Sequence, residues 1–193
     1  MFKPLEIKNV IPVEYQDEIY RYVTDVNFPW YFLEDTTYEG PPSGTGSTPA
    51  FVNLIYHTNK EEHPHLNFFR PLVDSIVEKA NMELISVFRI RIGFLLNTKY
   101  VYMGSPYQYN TPHVDGDMEH YTACYYVNTC DGPTVLFHEK EKSEKYKPMH
   151  KSEPEKGKVL IFDGQHYHAS TCPKVFNKRI VLTVNFSAKL KNE

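Results

Sequence analysis

The sequence predicts a mainly β protein, either a sandwich or a jelly roll, with helices near the N-terminus that pack on one sheet. Helical patterns of apolar residues occur only before residue 84, and from there onwards apolar residues recur with a period of two between turn signals. Aromatic residues make up 15% of the chain, and strands favour aromatic side chains. A length of 193 residues fits one domain with a sizeable core.

The first 83 residues are predicted to alternate short strands with two amphipathic helices. Strands are expected at 5–11, 30–33 and 51–57. Pro12 suits the first turn of the first helix, and Asn67 is the expected N-cap of the second. The apolar faces consist of Tyr15, Ile19, Tyr22, Val23 and Val26 in the first helix and of Phe69, Leu72, Val73, Ile76, Val77 and Ala80 in the second.

Two segments of the chain lack a clear strand or helix pattern. Residues 35–50 are crowded with glycine, proline, serine and threonine. A loop of this length is uncommon in a compact domain and is often functional, so we expect it to be a candidate lid over a substrate. Residues 138–158 are strongly charged and are expected to form a solvated hairpin or excursion.

The last predicted strand, 179–186, separates polar from apolar side chains. Arg179, Val181, Thr183 and Asn185 share one face, and Ile180, Leu182, Val184 and Phe186 share the other. The strand predicted at 122–128 has the same character, and at 86–96 Arg89 and Arg91 alternate with apolar residues. If the apolar faces meet the helices, the polar faces line an interior, and Arg179 projects into a cavity. The alternative is that Arg179 lies on a solvated face, where arginine is usually found.

Histidines stand beside acidic and turn residues in two stretches, TPHVDGD at 111–117 and FDGQHYHA at 162–169. Residues two apart on an extended chain point the same way, so His113 and Asp115 could both reach one ion. A His-x-Asp pair alone is weak evidence, because random placement gives one with a probability of about a third. The second stretch offers His166 and His168 as a third ligand. Two imidazoles and one carboxylate on one side of an ion form the facial arrangement of non-haem Fe(II) oxygenases.

Taken together, the stretches HVDGD, YYVNTCDGPTVLF, GKVLIFDGQHYHA and RIVLTVNF resemble the Fe(II)/2-oxoglutarate-dependent oxygenase superfamily. The resemblance is greatest to the prolyl-hydroxylase-like branch, including the small stand-alone members of bacteria and bacteriophages. It implies a double-stranded β-helix, a jelly-roll or cupin-like fold, with residues 84–188 as the core of a single domain, 1–193. Residues 1–83, where the likeness is looser, are then the helical support and the substrate-side loop.

The resemblance also implies the metal ligands. The HVDGD stretch matches the first two iron ligands of the family, so His113 and Asp115 take these roles. Counted from the end of the preceding strand, the family pattern puts the third ligand at His168. His166 is then two residues early and is expected on the rim of the site.

The cosubstrate contacts follow from the same resemblance. Arg179 on the final strand is the expected partner of the distal carboxylate of 2-oxoglutarate, with Thr183 beneath it. Tyr126 and Tyr102 fall where the branch has tyrosines that contact the cosubstrate. Because Val181 stands where some relatives have serine, Tyr126 is expected to supply the hydroxyl group.

The chemistry that the resemblance implies is a hydroxylation. Fe(II), 2-oxoglutarate as cosubstrate and O₂ would give oxidative decarboxylation to succinate and CO₂, coupled to hydroxylation of a prime substrate. A peptidyl proline is the first candidate substrate, whereas free amino acids, small metabolites and nucleobases stay open. An alternative from another class is a non-enzymatic, cupin-like metal-binding β-sandwich module.

Composition and charge limit the partners and the compartment. A net charge of −3 gives no electrostatic case for nucleic acid or for a membrane surface. No apolar run is long enough to cross a bilayer, and the N-terminus MFKPLEIKNV has no signal-peptide core. The three cysteines lack metal-type spacing, so free thiols in a reducing compartment are expected. The sequence therefore predicts a cytoplasmic protein that acts on a peptide or a small molecule.

Overall fold

The computed structural model describes residues 2–36, 48–58, 64–97 and 108–191, which form ten strands and two helices. The strands are β1 (Leu5–Ile7), β2 (Tyr31–Leu33), β3 (Ala50–His57), β4 (Met82–Leu96), β5 (Tyr121–Tyr126), β6 (Thr134–Phe137), β7 (Pro148–Ser152), β8 (Val159–Asp163), β9 (His168–Ser170) and β10 (Lys178–Leu190). The helices are α1 (Val13–Thr24) and α2 (Leu66–Lys79). A seven-stranded sheet has the order β1-β8-β5-β10-β4-β3-β2, and a three-stranded sheet has the order β7-β6-β9.

One face of the seven-stranded sheet, here called the helix face, carries the two helices. Ile19 of α1 and Phe69 of α2 belong to the same buried cluster as every second residue of the central strands. These strand residues are Ile90, Ile92, Ala123, Tyr125, Ile180, Leu182, Val184 and Phe186. Burying a large apolar side chain stabilises a fold by about 1.5–3 kcal/mol, so this face is a major source of stability. The apolar halves of the strands therefore meet the helices, as predicted.

The opposite face, here called the inner face, packs against the three-stranded sheet. Tyr126 and Val181 of the large sheet share a buried cluster with Leu136 of β6. The antiparallel register aligns inner-face residues in rows across the strands. One row contains Leu54, Arg91, Thr183, Cys124 and Leu160, and the next contains His57, Arg89, Asn185, Thr122 and Phe162. The two stacked antiparallel sheets confirm the predicted jelly-roll, double-stranded β-helix architecture.

Three local predictions differ from the structure. The first strand ends at Ile7 rather than at residue 11, and Asn9 just beyond it adopts a positive φ of 48°, which a strand does not accommodate. Helix α1 ends at Thr24 because Asp25 is extended, so Val26 lies outside the helix and is 95% exposed. The N-cap of α2 is His65, which makes no side-chain capping bond, and Asn67 lies within the first turn.

One residue and one loop with predicted functions lie wholly or mostly outside the described residues. Tyr102 is not described, and of the 35–50 loop only residues 35, 36 and 48–50 are described. The charged segment 138–158 contains β7, which pairs with the buried strand β6, and the connection between the two strands, 138–147, is mostly exposed, in agreement with the predicted solvated hairpin.

The cysteines agree with the prediction of free thiols. Cys124, Cys130 and Cys172 are unbridged and buried. Within the described ranges, no helix is both long enough and apolar enough to cross a membrane.

Candidate metal and cosubstrate site

The three predicted metal ligands come together in space. One ligand atom each from His113, Asp115 and His168 lies within 4.8 Å of the others. The carboxylate oxygens of Asp115 lie 3.8 Å from Nε2 of His113 and 3.7 Å from Nε2 of His168. The backbone brings the two histidines together, because His113 and His168 form an isolated antiparallel bridge with N–H···O bonds of 3.0 and 2.9 Å.

The orientation of both imidazole rings suits metal binding. Nδ1 of His113 lies 3.1 Å from the carbonyl oxygen of Thr111, and Nδ1 of His168 lies 3.3 Å from that of His166. A carbonyl can only accept, so in the neutral form of each ring Nδ1 carries the proton and Nε2 presents a lone pair. Metal-binding imidazoles are usually held by such a hydrogen bond on the opposite nitrogen. Burial, reinforced by His113, lowers the pKa of His168 to about 4, so this ring is neutral near pH 7.

Two inner-face residues hold Asp115 as a carboxylate. Arg89 Nη2 donates to Oδ1 at 2.5 Å, and Asn185 Nδ2 donates to Oδ2 at 2.9 Å. Arg89 Nε also donates to Asn185 Oδ1 at 2.9 Å, because the two residues are direct partners in the β4–β10 pairing. Burial alone would raise the pKa of Asp115, but Arg89, the two histidines and the Asn185 hydrogen bond hold it well below its usual range.

The donor set fits a transition metal such as Fe(II). Two imidazole nitrogens and one carboxylate form the facial triad, and imidazole suits iron as well as zinc, copper and nickel. Among the described residues, the group of ligand atoms contains His113, Asp115 and His168 and does not include the Cys124 thiol, whose pKa burial raises to about 12. The triad therefore leaves coordination positions for other molecules.

Arg179 is buried rather than solvated, with 6% of its surface exposed. Its Nε donates to the carbonyl oxygen of Gly132 at 2.7 Å, and its Nη2 donates to Oγ1 of Thr134 at 2.8 Å. A Cβ at Gly132 would lie 2.4 Å from the carbonyl oxygen of Thr171, so only glycine permits this close approach. The position of Arg179 is thus fixed by the turn after β5.

A cavity, here called the Arg179 cavity, connects Arg179 with the triad. It is lined by Thr36, Ala50, Val52, Arg89, Arg91, Gly93, Phe94, Leu95, His113, Asp115, Cys124, Thr134, His168, Ser170, Arg179, Val181 and Thr183. Thr183 therefore lines the same cavity as Arg179, and its contact with a cosubstrate stays a prediction. A cationic group at one end and three ligand atoms at the other suit an elongated anion that also binds metal.

Tyr126 lies behind the cavity wall. Its side chain is fully buried, and its hydroxyl group donates to Oγ1 of Thr134 at 2.9 Å. The same Thr134 oxygen accepts from Arg179. Thr134 thus separates the Tyr126 hydroxyl group from the cavity, and direct contact of Tyr126 with a cosubstrate stays a prediction.

A second cavity, here called the His57 cavity, meets the triad at His113 and Asp115. It is lined by Thr36, Val52, Leu54, His57, Arg89, Arg91, His113, Val114 and Asp115. It extends along β3 and β4 towards His57, whereas the Arg179 cavity extends towards the turn after β5. The two cavities adjoin at the triad, because Thr36, Val52, Arg89, Arg91, His113 and Asp115 line both of them.

His166 does not lie on the rim, and this expectation was wrong. The residue is 5% exposed, and its Nδ1 lies 3.0 Å from the carbonyl oxygen of Phe137. It precedes β9 in the turn after Asp163, so its ring packs against β6 instead of reaching solvent. Its backbone carbonyl, and not its ring, faces the triad through His168.

Three hydrogen-bond partners of the predicted site residues were not predicted from the sequence. They are Arg89, Asn185 and Thr134. Arg89 and Asn185 support the triad carboxylate, and Thr134 joins Arg179 to Tyr126. The signal for Arg89 was present in the sequence, because the alternation that turns Arg179 away from the helices also turns Arg89 inward. Thr134 had no such signal, since its role depends on the packing of one sheet on the other.

Comparison with solved structures supports the fold. A 2-oxoglutarate–Fe(II) oxygenase family oxidoreductase from Burkholderia pseudomallei is 13% identical, with a TM-score of 0.63 over 98% of this chain and 89% of that chain. A Trichoplax adhaerens prolyl hydroxylase in complex with a hypoxia-inducible-factor peptide is 14% identical, with a TM-score of 0.60 over 95% and 82% of the two chains. The epimerase SnoN from nogalamycin biosynthesis is 9% identical, with a TM-score of 0.62 over 95% and 77%.

The chain has the double-stranded β-helix fold of the 2-oxoglutarate–Fe(II) oxygenases. No protein-family model matches the sequence, and no curated protein matches it. Because structures with this fold include a hydroxylase and an epimerase, the fold alone does not specify the reaction.

Proposed function

We propose that this protein is an Fe(II)- and 2-oxoglutarate-dependent oxygenase that hydroxylates an organic prime substrate. The observation that carries the proposal is the combination of a His-Asp-His triad with a buried arginine at the other end of one cavity. A metal-binding module without turnover needs the triad but has no use for Arg179. The arginine therefore favours an enzyme that holds a second carboxylate-bearing molecule.

The proposed metal ligands are Nε2 of His113, Nε2 of His168 and the carboxylate of Asp115. The carbonyl groups behind the two rings accept from Nδ1, so in each neutral ring the lone pair lies on Nε2, the atom that would bind the metal. Arg89 and Asn185 keep the carboxylate ionised and limit its rotation. These supports reduce the entropy that the triad loses when it binds a metal.

Arg179 is proposed to bind the distal carboxylate of 2-oxoglutarate, together with the hydroxyl groups of Thr134 and Thr183. A guanidinium binds a carboxylate through two parallel hydrogen bonds, which fixes both the position and the direction of the ligand. The bonds from Arg179 to Gly132 and Thr134 hold the guanidinium in place before the ligand arrives. Tyr102 is outside the described residues, and its contact with the cosubstrate stays a prediction.

Bound Fe(II), 2-oxoglutarate and O₂ would supply oxidative decarboxylation to succinate and CO₂, with one oxygen atom going to the prime substrate. The residues of the protein would orient the cosubstrate and the prime substrate and exclude water from the cavity. Leu95 and Val181 give the Arg179 cavity apolar walls between its charged ends. The protonated Cys124 thiol adds bulk to this wall without competing for the metal.

A peptidyl proline is the first candidate for the prime substrate. Its support is the sequence resemblance to the prolyl-hydroxylase-like branch and the similarity of fold to a Trichoplax prolyl hydroxylase with a bound peptide. The His57 cavity is the proposed entry route, because it reaches the triad without passing Arg179.

Anaerobic titration with Fe(II), with and without 2-oxoglutarate, tests the oxygenase proposal. We expect a visible charge-transfer band only when both are present, and slow succinate formation when air is admitted without a prime substrate. A protein that binds Fe(II) but shows no band and forms no succinate above the metal-free control would instead be a metal-binding module.

A further inference from the structure

We propose that Gly93 sets the size of the ligand that the Arg179 cavity accepts, because its missing side chain leaves space for the hydrocarbon part of 2-oxoglutarate. The inference rests on the proposed oxygenase function and adds a residue that determines cosubstrate specificity. Gly93 lies in the interior of β4, between β3 and β10, and it lines the Arg179 cavity. A glycine at this position needs a cause, because glycine weakens the interior of a strand relative to alanine.

The backbone of β4 does not require glycine at position 93. Gly93 pairs with Val181 on one side and with Val52 on the other, and the register is unbroken at both pairs. Among the described residues, Gly157 is the glycine with a positive φ, so Gly93 does not adopt the left-handed conformation. A β-bulge and a left-handed backbone are therefore not the cause.

Close packing does not require glycine at position 93 either. A Cβ at Gly132 would clash with the carbonyl oxygen of Thr171, and one at Gly157 would clash with the side chain of Gln16. Apart from its chain neighbours, a Cβ at Gly93 would meet no atom of the described residues within 4 Å. Of the usual causes of a glycine inside a strand, the approach of a ligand is the one that fits Gly93.

The row that contains Gly93 lies between the two ends of the cavity. Four consecutive pairs of inner-face residues join β4 to β10, in the order Leu95–Arg179, Gly93–Val181, Arg91–Thr183 and Arg89–Asn185. The first pair contains the proposed carboxylate partner, and both members of the last pair donate to the Asp115 carboxylate. A molecule that reaches from Arg179 to the triad therefore crosses the row of Gly93.

The surroundings of Gly93 suit the two methylene groups of 2-oxoglutarate. Val52 and Val181, its partners across the sheet, are apolar and line the same cavity, as does Leu95. The carboxylates of 2-oxoglutarate belong with Arg179 and with the metal, so the methylene groups are the part that lies over this row. Because β3 and β10 hold β4 on both sides, the backbone cannot withdraw to make room for a side chain at position 93.

Enlargement of residue 93 tests the inference with two ligands at fixed Fe(II). The variants are Gly93→Ala and Gly93→Val, and anaerobic calorimetry measures the binding of 2-oxoglutarate and of oxalate. Oxalate has a chelating end but lacks the methylene groups, so it reports on the metal end of the cavity. Ala188→Val, which adds two methyl groups to β10 outside the Arg179 cavity, is the matched control.

We expect Gly93→Val to weaken 2-oxoglutarate binding by about tenfold or more, and Gly93→Ala by about threefold, because the added atoms overpack the bound state. Both variants should bind oxalate within about twofold of wild type, and Ala188→Val should bind both ligands as wild type does. The urea midpoint of Gly93→Ala should equal or exceed that of wild type, because alanine suits a strand better and its Cβ meets open space.

Three results would overturn the inference. These are wild-type affinity for 2-oxoglutarate in both Gly93 variants, equal losses for oxalate and 2-oxoglutarate, and a lower urea midpoint in Gly93→Ala, which would show that the fold needs the glycine. Should Gly93→Val fail to fold, Gly93→Ala decides alone. Failure of the oxygenase proposal is recognised separately, because the wild-type protein would then bind no 2-oxoglutarate and show no charge-transfer band, and the role of Gly93 would fall with it.

Discussion

The two faces of the seven-stranded sheet differ in what their side chains do, although neighbouring residues on each strand supply both. On β10, Leu182 and Val184 are buried against the helices, while Thr183 lines the Arg179 cavity and Asn185 donates to the Asp115 carboxylate. The helix face is apolar and carries stability. Part of the buried surface of the inner face consists of charged groups, which contribute less to stability than apolar residues of similar size would. Substitutions on the two faces should therefore separate folding from binding.

The largest expected effect is on the inner side, at the triad. His113→Ala, Asp115→Ala and His168→Ala should each abolish Fe(II) binding, because a facial triad with one ligand missing holds the metal too weakly. Metal content after anaerobic loading and desalting measures this. Asp117→Ala, an exposed acid two residues further on, is the control and should keep the metal. Normal iron content in Asp115→Ala would show that the metal binds elsewhere.

The sequence predicted this separation of faces better than it predicted the site's supports. Alternation along β10 indicated that Arg179 turns away from the helices, since Ile180 and Leu182 must face them. The bonds of Arg89 and Asn185 to Asp115 could not be read in the same way. They depend on the register between β4 and β10 and on the course of the segment that follows residue 110, and both are properties of the folded chain.

The second effect tests the helix face. Leu182→Ala should lower the free energy of unfolding by about 2–5 kcal/mol, because Leu182 is fully buried and its loss leaves a cavity. Thr183→Ala, the adjacent change on the inner face, should cost about 1 kcal/mol. Equilibrium unfolding in urea measures both. The separation of stability and binding between the two faces is contradicted if the folded Leu182→Ala protein loses Fe(II) affinity and Thr183→Ala is the less stable of the two variants.

The third effect lies at the far end of the Arg179 cavity. Arg179→Ala should weaken 2-oxoglutarate binding by about tenfold or more, because it removes a charge-assisted two-point contact. Arg179→Lys should recover part of the affinity, and Tyr126→Phe should cost less, since its hydroxyl group acts through Thr134. Titration of 2-oxoglutarate at fixed Fe(II) compares these variants with Lys178→Ala. Lys178 lies next to Arg179 but on the other side of the strand, over the ring of Tyr20. Wild-type affinity in Arg179→Ala would exclude Arg179 as the carboxylate partner.

The smallest effect is expected at His166, which contacts the triad through its backbone carbonyl group and not through its side chain. Its carbonyl oxygen orients the ring of His168, and alanine keeps this carbonyl. Within the described part of the chain, the His166 ring makes one hydrogen bond, to the carbonyl oxygen of Phe137, so His166→Ala should cost about 1 kcal/mol of stability. Succinate formation at saturating Fe(II) and 2-oxoglutarate should stay within about twofold of wild type, a change in barrier of less than about 0.5 kcal/mol. His168→Ala, two residues away on the same segment, should form no succinate. If His166→Ala is inactive and His168→Ala is active, the third ligand is His166, and the segment before β9 binds the metal in the other register.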